Sequence, residues 1–299
     1  MKSHKKNKKG EIIQGYGFMI PTLLILGIFT LLPIGYSIFL SFTRVNLFGG
    51  VEFQFIQLEN YTNAFADERV WAALRNTFEY VIFVVPIQTI LALVMAYILN
   101  SGIKFQKTFR TIYFLPTLTS SSALTMIFMF LFSINGPLNN VLVNLGILES
   151  PINFINETSF ALRTIMVMNI WSTVPFFMTI YLAGLQDIPP ALYEAASLDG
   201  ANSLQKLTKI TVPNLVPVTN YVLLMGIIGC FQIFDQAYII SGGSGGPNNA
   251  TLTLSLIIYQ YAFQVMGTMG YASALAILLA IIIFVASMIA RKLNREERI

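Results

Sequence analysis

The chain has 299 residues, of which 55% are hydrophobic and 11% charged, with a mean hydropathy of +0.68. Soluble globular domains carry about 25% charged residues, so too few charges are present to cover a water-facing surface, and a soluble enzyme, a nucleic-acid binder and a disordered chain are excluded together. Eighteen Lys and Arg against fourteen Asp and Glu leave a net +4, a balance whose meaning lies in where the bases fall along a membrane chain.

Runs of about 20 apolar residues cross a hydrocarbon layer ~30 Å thick. Six are legible, at roughly 17–41, 78–99, 111–133, 161–185, 214–240 and 268–290. They predict an all-α polytopic membrane bundle of six transmembrane helices, organised as one domain over 1–299. A Lys-rich tail, 1–16, precedes the first run with Lys2, Lys5, Lys6, Lys8 and Lys9. That run exceeds a signal-peptide apolar region and no A-x-A site follows it, so it is expected to stay in place as a span. Lys104, Lys107 and Arg110 lie between runs two and three, Lys206 and Lys209 between four and five, and Arg291, Lys292, Arg295 and Arg298 after six. Against these fourteen stand four on the opposite side, Arg44, Arg69, Arg75 and Arg163. The positive-inside rule then places both termini in the cytoplasm.

The first outer connection, about 42–77, carries Tyr61, Phe65 and Trp71 and predicts a short surface helix. In the third run, Thr117, Thr119, Ser120, Ser121, Ser122 and Thr125 are read as small residues that permit close helix packing, in preference to lining a polar path. The stretch 241–250 predicts a flexible Gly-rich turn. Cys230 is the one cysteine and His4 the one histidine. An internal disulfide, a thiolate metal site and a histidine relay therefore have no residues to use. No metal or cofactor is expected.

Polar side chains inside spans are costly and need partners or a function. In the fourth span Asn169, Trp171, Ser172 and Thr173 precede Pro175 and Phe176. In the fifth, Gln232, Asp235 and Gln236 stand at i, i+3 and i+4, which on one helix share a face, with Phe231 beside them. Amide, carboxylate and aromatic groups on neighbouring helices suit a sugar, whose hydroxyls take the hydrogen bonds while its C–H face stacks. Two readings stay open. Asn169, Trp171, Thr173, Phe176, Phe231, Gln232 and Asp235 line a solute path, or Asn169 and Thr173 bond across helices and Asp235 holds the Gly-rich loop.

Between the fourth and fifth spans, 186–213 contains Pro189 and Pro190, suited to the first turn of a helix. Residues 191–198 continue it, with Glu194 near the positive end of its dipole. Gly200 stops it. Asn202 with Gln205 three positions on starts a second helix, and Pro213 ends the segment. Leu192, Ala195 and Ala196 share one face, which predicts a docking element for a partner's groove in preference to a helix lying on lipid.

The order Glu194-Ala195-Ala196, Asp199-Gly200-Ala201 and Ile210-x-Val212-Pro213 resembles the EAA loop of permease subunits in binding-protein-dependent ABC importers. Ala183-Gly184-Leu185-Gln186-x-Ile188-Pro189, Phe234-Asp235-x-x-Tyr238 and Gly245-Gly246-Pro247 are similar to its carbohydrate-uptake branch. Val212 stands where Leu is usual, and extra residues precede Gly245. The resemblance implies the six-helix fold of type I importer permeases and pairing with a second, homologous permease. It implies two cytoplasmic ATPases docked on Leu192, Glu194, Ala195, Ala196, Asp199 and Gly200, and an extracellular solute-binding protein that delivers a carbohydrate. It further implies a bacterial cell membrane location, with lipid around the spans. The chain has no G-x-x-x-x-G-K-[ST] phosphate loop, so ATP and Mg are expected on the partner ATPases and no enzymatic activity here. An ion-coupled secondary transporter is the alternative; it calls for a buried coupling carboxylate, for which Asp235 is the candidate.

Overall fold

The computed structural model describes residues 8–46, 52–102 and 104–293. Lys2, His4, Lys5, Lys6, Arg295 and Arg298, counted above, lie outside the described residues. In chain order, α1 (Lys8–Leu26) runs through a π turn (Gly27–Leu31) into α2 (Leu32–Ser41), followed by β1 (Thr43–Asn46) and β2 (Glu52–Phe55). Then come α3 (Glu59–Ala66), α4 (Glu68–Asn100), α5 (Gln106–Leu118), α6 (Ser121–Leu131), α7 (Pro137–Asn144) and α8 (Ala161–Gln186). The rest is α9 (Pro190–Leu198), α10 (Ser203–Lys206), α11 (Val212–Asn214), α12 (Val216–Phe231), α13 (Asp235–Ser241), α14 (Leu254–Tyr259) and α15 (Met269–Leu293). Among the described residues five stretches are long and apolar enough to cross a membrane, six when the bent pair α5–α6 counts as one.

Packing divides the described residues into two compact units, one up to Ala64 with Tyr261–Ile277, the other Phe65–Gln260 with the residues from Leu278 on. In the first, the expected surface helix is α3, and the two-stranded antiparallel sheet pairing Thr43 with Phe55 through Asn46 with Glu52 is an addition to the all-helical reading. Asn60 Nδ2 donates to Ser41 O at 2.9 Å and Thr43 O at 3.0 Å, answering carbonyls where α2 gives out. Arg44 pairs with Glu59. A Cβ on Gly270 would stand 2.1 Å from Thr43 O, so only glycine lets α15 approach that turn. The apolar side chains of 15–39 remain exposed, Phe18 and Phe29 among them, as suits a helix solvated by acyl chains.

The second unit is built on α4, α8 and α12. Asp67 caps α4 by accepting from Arg69 N at 2.8 Å. That cap starts the helix ten residues before the predicted span, because the charged residues 68–75 hid a helical extension from a hydropathy reading. Ala92, Ala96, Phe177, Met178, Tyr181, Leu215 and Val222 fill the interior between the three helices, and Tyr181 Oη donates to Thr219 Oγ1 at 3.1 Å. A Cβ on Gly184 would meet Val218 Cγ2 at 2.6 Å and Leu215 Cδ2 at 3.0 Å.

Two spans are broken. The third turns by 99° between α5 and α6, where Thr119 and Ser120 are extended and Ser120 Oγ caps Ala123 N at 3.3 Å. The hydroxyl run therefore breaks the helix by offering its backbone other partners, and the close-packing reading is corrected there. The fifth span stops at Phe231 and restarts at Asp235, with Phe234 at φ −136°, ψ −61°. Thr253 Oγ1 donates to Ile233 O at 3.0 Å and Ser255 Oγ to Phe231 O at 3.5 Å, so the carbonyls freed by the break are answered from beyond the Gly-rich turn. That turn is itself tied down: Asn76 Nδ2 donates to Asn249 O and Leu252 O at 2.7 and 2.9 Å, and Gln260 Nε2 to Gly243 O at 2.7 Å.

Gly184→Val should lower stability by about 1–3 kcal/mol through overpacking, read as a fall in the melting temperature of the detergent-solubilised protein. An unchanged melting temperature contradicts the close α8–α12 approach.

Candidate functional site

The segment between spans four and five folds as its residue types dictate. Pro190 opens α9 at its first position, after an extended Pro189. Gly200 closes it in the left-handed region at φ +75°. Ala201 N donates to Ala196 O at 2.8 Å and Gly200 N to Ser197 O at 3.1 Å, the paired bonds of a Schellman end that glycine permits without strain. Asn202 and Gln205 make the reciprocal capping box of α10, and a π turn (Leu207–Thr211) leads into α11.

No residue of α9 is fully buried: Leu192, Glu194 and Ala195 are exposed, Ala196 is half-buried, and Asp199 and Gly200 are exposed beyond its end. Two features escape a pattern reading. Leu198, at 90% exposed, extends the apolar surface of α9 past Ala195. Tyr193 packs against the interior cluster of α4, α8 and α12, and its hydroxyl lies 2.9 Å from Thr211 Oγ1. With Lys206 Nζ donating to Ser197 Oγ at 2.7 Å, α9 is clamped to the segment that feeds α12 while its apolar surface stays open.

The polar residues of spans four and five meet at the break. A cavity of about 200 Å³ is lined by Asn169, Gly229, Gln232, Phe234, Asp235 and Gln236. Gln232 and Asp235 reach it from the broken ends of α12 and α13, which corrects the expected shared face of a continuous helix. Asn169 Oδ1 is buried without a hydrogen-bond partner among the described residues. Gln236 Nε2 donates to Ser121 Oγ at 3.1 Å and borders a second cavity of about 170 Å³, lined also by Thr117, Thr119, Ser121 and Ser172 at the bend of the third span.

Four expected path residues stand elsewhere. Phe231 is 1% exposed, edge-on to Phe78 at 5.3 Å, because the helix ends there with its ring turned inward. Phe234, three residues on, supplies the aromatic wall instead, its ring tilted against those of Tyr238 and Tyr259 at 5.4 and 5.0 Å. Trp171 is 49% exposed with its ring 5.4 Å from Phe128, and Phe176 is exposed beside Phe177. Thr173 Oγ1 bonds across to Gln88 Oε1 at 2.8 Å.

Thr253→Val removes both the donor to Ile233 O and the cap of Leu256 N, a loss of about 1–3 kcal/mol. Hydrogen exchange should quicken at 232–238 before the rest of α12; uniform exchange contradicts this role.

Among curated relatives, the probable ABC transporter permease protein YesP of Bacillus subtilis is 38% identical, over 98% of this chain and 93% of that protein. The lactose transport system permease protein LacF of Rhizobium radiobacter is 33% identical over 99% of each. A bacterial alginate ABC transporter, crystallised in complex with an alginate pentasaccharide-bound periplasmic protein, has a chain of the same fold, with a TM-score of 0.82 at 22% identity over 98% of both chains. Residues 88–299 match the family described as binding-protein-dependent transport system inner membrane component. The chain is a multi-pass membrane permease and belongs to that family.

Proposed function

We propose that this chain is one of two membrane-spanning subunits of an ATP-driven carbohydrate importer in a bacterial cell membrane, with both termini cytoplasmic. The observation that carries this reading is α9: a short helix with its apolar surface open, clamped by Tyr193 to the segment leading into α12. A helix of nine residues is marginal in water, and Leu192, Ala195 and Leu198 offer a cytoplasmic ATPase the apolar, close-approach surface that a groove recognises. Two such ATPases, holding ATP and Mg, drive the cycle; this subunit holds neither and catalyses nothing.

In that cycle ATP binding closes the ATPases, α9 moves with them, and the pair Tyr193–Thr211 passes the movement to α12 and so to the broken fifth span. Reversing a population from 1:99 to 99:1 takes about 5.5 kcal/mol of differential binding, supplied jointly by nucleotide and a loaded external binding protein. The cavity at the break offers amides, one carboxylate and an aromatic wall, a set suited to a neutral sugar. The lactose relative supports that class. In the ion-coupled alternative Asp235 would have to be buried, and it is exposed.

The complete importer in proteoliposomes tests both halves. Gly200→Val should keep ATP hydrolysis within about twofold while uptake falls tenfold or more, an uncoupling beyond the ~1–2 kcal/mol strain of a left-handed valine. Asn169→Leu should raise the KM for uptake about tenfold, the scale of one buried hydrogen bond. Normal uptake in the first variant, or an unaltered KM in the second, refutes the corresponding assignment.

A further inference from the structure

Gln88 is a buried polar side chain that the solute cavity leaves unexplained. It lies within α4, is 1% exposed, and contributes no atom to the cavity walls. Its Oε1 accepts from Thr173 Oγ1 at 2.8 Å, while its Nε2 is buried without a partner among the described residues. Thr173 Oγ1 also lies 2.8 Å from Asn169 O, so a hydroxyl with one proton faces two acceptors. Rotating the carboxamide by half a turn lets Nε2–H donate to Thr173 Oγ1 and Thr173 give its proton to Asn169 O, and turns Oε1 to the side of α12.

On the other side Gln88 meets α12. A Cβ on Gly226 would stand 2.7 Å from Gln88 Nε2, 3.6 Å from Val85 Cγ1 and 3.9 Å from Gln88 Cδ. Gly226 is buried within its helix, where alanine is the better helix former, so what glycine supplies there is room for the amide. Both partners sit about one turn from the cavity, Thr173 four residues after Asn169 and Gly226 three before Gly229. A side chain on a third helix thus touches both helices that carry the cavity.

We propose that Gln88 is a positioning residue for the solute cavity, setting the separation of α8 from α12 through Gly226 and the orientation of the Asn169 turn through Thr173. The inference rests on reading that cavity as the solute site, and the test separates the two.

In the complete importer, nitroxide labels at the exposed positions Val167 and Met225 report the α8–α12 distance with no solute present. Uptake of lactose and of maltose reports function. Gln88→Ala should broaden the distance distribution and raise the KM of a transported sugar about tenfold with the maximal rate held within about twofold. Gly226→Ala should move the labels apart, and Gln88→Ala with Gly226→Ala should return the distribution toward that of the unaltered protein. Gln88→Asn replaces the alanine variant if the latter fails to insert. Unchanged distances in both single variants, or a fall in maximal rate with KM unaltered, overturns the proposal. If the unaltered importer takes up neither sugar, its solute is neither of these two, and the distances alone decide the role of Gln88.

Discussion

A backbone polar group set free inside a hydrocarbon layer must find a partner, because no water is there to supply one. Both breaks in this chain obey that constraint, and the candidate site exists because of it. At the fifth span, Thr253 and Ser255 take the carbonyls of Ile233 and Phe231. The helix can then stop, turn Phe231 inward and expose Gln232 and Asp235 on a cavity. At the third span, Ser120 caps the restart and leaves Thr117, Thr119 and Ser121 facing a second cavity. Gln236 borders both and bonds to Ser121, so the two breaks meet at one side chain.

The same economy of partners governs the segment between spans four and five. Its ends are closed locally, by the Gly200 Schellman bonds and the Asn202–Gln205 box, so α9 needs no outside donor to hold its shape. It is fixed to the interior by Tyr193 and leaves its apolar residues open. In the proposed cycle this element, clamped on one side and free on the other, is the part that a docked ATPase displaces. Its clamp lies on the segment leading into the broken fifth span.

How far the sequence discloses this depends on whether an element's cause is local. The spans are legible because each needs about 20 apolar residues in a row, and α9 and α10 because Pro189, Pro190, Gly200, Asn202 and Gln205 act on their near neighbours. The break at 232–234 is not legible, since its donors lie 20 and 24 residues away and the run reads as an unbroken helix. The early start of α4 follows from the Asp67 cap, which charged neighbours obscure in a hydropathy reading. Phe234 stands in the same Phe-Asp-x-x-Tyr order that carries the resemblance, whereas the expected face of Gln232, Asp235 and Gln236 takes its neighbour Phe231 as the aromatic. Gln88 is a lone amide in an apolar run, and its two contacts become visible only when α8 and α12 are packed on it.

In the proposed cycle α9 passes force between a separate ATPase and the broken span. A photo-crosslinking amino acid at Leu198 in the assembled importer tests it most directly. An adduct with the ATPase subunit that strengthens when a non-hydrolysable ATP analogue is added is the expected result. Adducts with lipid alone, or a side chain that reaches no protein in any nucleotide state, would contradict it.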